Sequence, residues 1–112
     1  MRVDHMSDAF RDREDTFEKQ FANEERLRFR AIARRNRALA LWVAELKGMT
    51  GEGAQKYAEA FVSDHVGDSD HSVAKAMRED LARGDVDLSD HRLRRRMEEE
   101  MAKALASVKA GG

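Results

Sequence analysis

The stretch Phe10–Gly48, FRDREDTFEKQFANEERLRFRAIARRNRALALWVAELKG, contains no proline and no glycine before its last residue, so no residue in it forces a helix to break. It joins three chemically different blocks: a mixed-charge arm with spaced phenylalanines (Phe10, Phe17, Phe21), an arginine-dense turn, and an apolar segment around Trp42. In the second half, Phe29, Ile32, Ala33, Asn36, Leu39, Ala40, Val43 and Leu46 recur at three-four spacing, which predicts one buried helical face. Extended backwards from Phe29, that stripe meets Glu25, so Phe17 and Phe21 fall outside it. The expectation is an arm over residues 1–22, loosely ordered on its own, and a packed body over residues 23–112.

Downstream the signals are local. Gly48 is positioned to close the first helix and Thr50 to cap the second, which carries Ala54, Tyr57, Ala58, Phe61 and Val62 on one face and stops at Val66-Gly67. Ser69 or Asp70 caps a third helix with Val73, Met77 and Leu81, ending at Gly84. Ser89 caps a fourth, with Leu88 and Leu93 at hydrophobic-staple positions and Met97, Met101, Leu105 and Val108 continuing the face. Four helices with short connections and no strand signal make this an all-α chain, a small four-helix bundle with a flexible N-terminal arm.

At 112 residues there is room for one modest core, burying roughly two-thirds of the unfolded surface. Charged residues are 38% of the chain, yet the net charge is only -1, so partner choice rests on local patches and not on a global field. There are no cysteines, which removes disulfides and thiolate metal sites from consideration. Neither a signal-peptide core nor an apolar run of about 20 residues is present, so membrane insertion is not expected.

The arginines at 26, 28, 30, 34, 35 and 37 form the densest feature. Guanidinium forks suit carboxylates and phosphates, so Arg30, Arg34, Arg35 and Arg37 are candidates for docking an acidic partner or a nucleotide. The competing reading is a solvated face paired with Glu24, Glu25 and carboxylates of neighbouring helices. Nucleic acid is disfavoured, because Phe29 alone interleaves the cluster as an aromatic and the rest of the chain is acidic. Asp64, His65, Asp68, Asp70 and His71 bring possible metal ligands into one loop, but without EF-hand register, and capping duty explains them better. Gly48, Gly51 and Gly53 match neither phosphate-loop pattern. No nucleophile and base pair has supporting spacing, so an enzyme is not expected.

Taken together, Phe10, Arg11, Asp12, Arg13 and Glu14 with Phe17 and Glu18, then Phe21 to Glu25, and above all Ala33, Arg34, Arg35, Asn36 and Arg37 leading to Leu41-Trp42, resemble the alphaproteobacterial zeta subunit, the inhibitor of the F1FO-ATPase. The likeness continues through Gly48 and Tyr57-Ala58 and, more weakly, into the fourth helix. It implies a four-helix bundle whose N-terminal arm, flexible when free, enters a catalytic α/β interface of F1 as a helix and blocks ATP hydrolysis. Carried over by position, the inhibitory residues would be Phe10, Arg11, Asp12, Arg13, Glu14, Phe17 and Glu18. The resemblance also implies weak ADP or ATP binding on the bundle with no required cofactor. It further implies a protein monomeric when free, cytoplasmic, and peripheral to the inner membrane when bound to the F1FO-ATPase. The alternative is a nucleotide- or nucleic-acid-binding module built on Arg26–Arg37.

Overall fold

The computed structural model describes the chain from Arg2, with side chains described from Arg11 to Gly112. Four helices follow one another: α1 Arg2–Leu46, α2 Gly51–Asp64, α3 Asp70–Arg83 and α4 Asp90–Lys109. α1 is the spine. It packs along both α2 and α4, while α3 makes smaller contacts with α1 and α4. The body is 27 × 22 Å across but 73 Å long, and its radius of gyration of 19.8 Å far exceeds the ~13 Å of a compact domain near this size. The excess length is α1 itself, whose 45 residues span about 68 Å at 1.5 Å per residue.

Each helix boundary has a local cause. α1 ends in a Schellman motif: Gly48 takes a φ of 83°, its N–H donates to the Glu45 carbonyl and that of Met49 to the Ala44 carbonyl. Ser69 and Ser89 accept hydrogen bonds from the amides of Ser72 and Arg92, capping α3 and α4. Thr50 precedes α2 without a side-chain cap bond. Leu88 packs against the main core, of which Leu93 is a buried member.

The main core gathers Leu39, Ala40 and Val43 of α1, Ala58 and Phe61 of α2, Val73, Ala74, Met77 and Leu81 of α3, and Leu93 and Met97 of α4. A second, smaller cluster joins Ala31 to Ala104 and Val108, with Leu27, Met101 and Leu105 packed against it. This cluster corrects the stripe read from the sequence. The packed row in the lower half of α1 runs Leu27, Ala31, Arg35, Leu39, because α4 lies against the small side chain of Ala31. Phe29 is 64% exposed, and Ala33 is exposed as well. Hydrophobicity favoured phenylalanine over alanine at this level of the helix; close approach of α4 favours alanine.

Candidate functional site

α1 carries both sets of candidate residues, and its backbone is continuous between them. The difference between the two halves lies in packing. Every residue from Arg11 to Glu24 is exposed, and the first inward-facing apolar residue is Leu27. Phe17 and Phe21 are 72% and 59% exposed; as an i,i+4 pair they share one face of the bare helix. Arg11, Asp12, Arg13, Glu14 and Glu18 surround them in solvent, none in a salt bridge among the described residues. Thr16 donates to the Asp12 carbonyl at 2.8 Å. Phe10 lies outside the residues whose side chains are described. Phe21 was not among the site residues singled out from the sequence, although its spacing from Phe17 is the signal that places it with them.

Within the arginine cluster, Arg35 stands apart from the rest. Arg35 is buried and so does not belong to a docking face. Its Nη1 donates to Asp70 Oδ1 at 2.6 Å, and Nε and Nη2 both donate to Asn36 Oδ1, at 3.2 and 3.0 Å. The guanidinium thus ties α1 to the first turn of α3 while filling the gap between them, and Asn36, 2% exposed, is the acceptor that makes its burial tolerable. The other arginines are exposed; Arg28 has no described partner, and the remaining four bond oxygens other than side-chain carboxylates. Arg26 bonds Asn23 Oδ1 at 2.7 Å, Arg37 bonds Gln55 Oε1 of α2 at 2.6 Å, Arg34 bonds Ser107 Oγ of α4, and Arg30 bonds the Gly112 main-chain oxygen at 3.2 Å. Glu24 and Glu25 take no part.

The arginines of α4 are arranged differently. Arg94, Arg95 and Arg96 each meet a carboxylate, of Asp90, Glu99 and Glu100 respectively, at 2.9, 3.4 and 3.1 Å. Asp90 also accepts from Arg78 of α3, and the two guanidiniums, Arg78 first, hold its carboxyl below the usual aspartate range. In α1 the exposed positive charge is oriented but not neutralised by any described side-chain carboxylate.

Two hollows flank α1 and α2. One, of about 350 Å³, lies between α1 and α2 and is lined by Ala33, Arg34, Arg37, Glu59, Val62 and Ser63. The other, of about 440 Å³, opens between α2 and α3 beside Tyr57, Phe61, His65 and Asp80. There the Tyr57 hydroxyl donates to Asp80 Oδ2, and Arg83 donates to Oδ1. Burial, then the Asp80 hydrogen bond, push the Tyr57 hydroxyl up. Burial alone would raise Asp80, but hydrogen bonds from Tyr57 and Arg83 and the nearby Lys47 charge outweigh it and hold the carboxyl low. In the loop before α3, His65 Nδ1 lies 2.8 Å from Asp68 Oδ2 and Asp70 turns to Arg35. Among the described residues no three metal-ligating side chains converge.

A family model described as ATPase inhibitor subunit zeta matches residues 6–107, nearly the whole chain. Among curated proteins, none matches.

Proposed function

The chain belongs to the ATPase inhibitor subunit zeta family, and from that premise we propose that it stops ATP hydrolysis by inserting the bare half of α1 at a catalytic α/β interface of F1-ATPase. The observation that supports this reading most is the contrast within α1: a helix with two phenylalanines on one face and no packing partner from Arg11 to Glu24. A helix that lays an apolar face into a groove needs such anchors on one side and charges around them to fix its register. Phe10, Phe17 and Phe21 would fill the groove, and Arg11, Asp12, Arg13, Glu14 and Glu18 would set the orientation.

The anchoring of α1 in the bundle makes the arm a better ligand than a free peptide. An isolated segment of this length is a marginal helix in water, chiefly because nucleation is unfavourable. Here the packed part from Leu27 onward supplies the nucleus, so helix can propagate upstream without that cost. The bundle also keeps the local concentration of the arm at the groove high. A rotary enzyme halted at one interface cannot turn over, so this chain would act as a stoichiometric plug and perform no chemistry of its own.

The same proposal places the protein in the cytoplasm, monomeric when free and peripheral to the inner membrane when engaged. No described helix is long and apolar enough to cross a membrane. Arg30, Arg34 and Arg37 remain proposed contacts for the partner or for the phosphates of an adenine nucleotide; amide shifts at these positions on titration with ADP would report the latter. For the inhibitory arm, the test is removal of residues 1–20. Inhibition of purified F1-ATPase should vanish while circular dichroism still reports the folded bundle. Equal inhibition by the truncated and full chains would defeat the mechanism.

A further inference from the structure

We propose that the bundle has a second contact surface for the same ATPase, centred on Phe29 and the α1–α2 groove and separate from the inhibitory arm. This inference rests on the function proposed above. Its first support is an exposed aromatic with no structural duty. Phe29 lies on the packed half of α1, beyond the arm, yet it is 64% exposed and belongs to neither core cluster. One helical turn further on, Ala33 leads into the groove closed on its far side by Val62 and Ser63 of α2. Because α1 and α2 run antiparallel, the end of α2 points back towards Phe29, and Val66 just past that end is 78% exposed. Exposed apolar residues thus sit at the arm-ward end of both helices that line the groove.

The second support is charge. Arg26, Arg30, Arg34 and Arg37 border this strip, are exposed, and have no described side-chain carboxylate within ion-pair distance. Arg26, Arg34 and Arg37 are nonetheless held in place by neutral oxygens of Asn23, Ser107 and Gln55. Guanidiniums fixed in orientation but left uncompensated are arranged to receive carboxylates from outside. Glu59 is the single carboxylate lining the groove. The occupant this chemistry fits is a protein surface with acidic residues around an apolar socket that takes the Phe29 ring. A second copy of this chain fits poorly, since pairing this face with itself would set one row of uncompensated arginines against another. Phe29 lies eight residues beyond Phe21 on the same helix, about 12 Å along its axis, so one partner engaging the arm can reach both.

The test compares full-length Phe17→Ser, Phe29→Ser and the double variant Arg26→Gln/Arg37→Gln in titrations of purified F1-ATPase. Thermal unfolding and sedimentation are measured in parallel. Phe29→Ser should weaken the apparent inhibition constant about tenfold, the loss of one interface anchor. Inhibition at saturation should stay complete and the unfolding midpoint unchanged, because the ring is not part of the core. The arginine variant should slow association and flatten its dependence on salt. Potency within twofold of the parent for both variants overturns the second surface, even if Phe17→Ser abolishes inhibition as the arm mechanism requires. Failure of the unmodified chain to inhibit at all would instead remove the functional reading on which this surface depends. Loss of self-association in Phe29→Ser, or binding of a single-stranded oligonucleotide that the arginine variant loses, with F1 potency intact, would also overturn it.

Discussion

The two halves of α1 are built from the same kinds of residue and share one continuous backbone, yet one is exposed from Arg11 to Glu24 and the other is the spine of the bundle. Phe17 and Phe21 above, Phe29 below, and arginines along both halves give similar composition on either side of Glu25. What separates them is polarity along one row. Leu27, Ala31 and Leu39 turn inward, with Arg35 paired among them, whereas the same row continued upstream meets Asn23, Lys19 and Asp15, all exposed. Helicity is therefore a poor guide to which part of this chain is structural. Packing divides it into an exposed arm and a scaffold.

That contrast predicts a graded set of responses, checked by chemical unfolding followed by circular dichroism. Leu39 is fully buried, so Leu39→Ala should cost about 3 kcal/mol, while Phe17→Ala in the arm should stay within about 0.5 kcal/mol yet lose inhibition. A large stability cost at Phe17 would mean that the arm has a packing role. Arg35→Ala comes next, at about 2 kcal/mol, because it removes the ion pair with Asp70, an exposed carboxylate, and leaves the buried Asn36 oxygen without its donors. Arg28→Ala, on the same helix but exposed and without a described partner, should change stability by less than about 0.5 kcal/mol.

Asp80→Asn should cost about 1 kcal/mol at neutral pH by weakening the Tyr57 contact that ties α3 to α2 and the Arg83 contact within α3. The sign of its pH dependence follows from the lowered carboxyl. Stability from Asp80 is present above the unfolded aspartate value and is lost as the pH falls through the folded one. The gap between parent and variant should therefore close below the ordinary aspartate range, and a gap that widens in acid would reverse the assignment. The smallest effect belongs to Gln20→Gly. It should lower helical signal through a local propensity cost of about 1 kcal/mol and leave the unfolding midpoint in place, whereas Ala31→Gly should move that midpoint.

The caps and helix ends were legible because they are local. Ser69, Ser89, Gly48 and Gly84 act within a few residues of themselves, and the cores of α2 to α4 followed their periodicity. The exposed arm could be marked out because no apolar row of α1 continues upstream: the stripe drawn through Phe29 meets Glu25, and the observed row through Leu27 meets Asn23. What escaped the sequence depends on a distant helix. Phe29 was assigned to the core because only the position of α4 reveals that Ala31 is preferred there. Arg35 was read as surface because pattern reading sends charge outward, and it cannot show that Asn36 and Asp70 converge to receive a guanidinium. Glu100, 8% exposed and bonded to Arg96 and Lys103, was missed for the same reason. Asp85 is a smaller case: a φ of 56° at the end of α3, where glycine would be the usual choice, arises because Val86 must fold back to donate to the Leu81 carbonyl.

The unbroken helix has a mechanical consequence. Because α1 is both the handle and the central member of the bundle, a pull on its exposed end enters the body lengthwise and loads the contacts with α2 and α4 together. Those interfaces must then slide in shear along several turns, with Arg34 and Arg37 acting as cross-ties, and cannot peel apart one contact at a time. A plug seated in a turning motor feels such a load directly. In this design the arm would be drawn out of its groove before the bundle that carries it came apart.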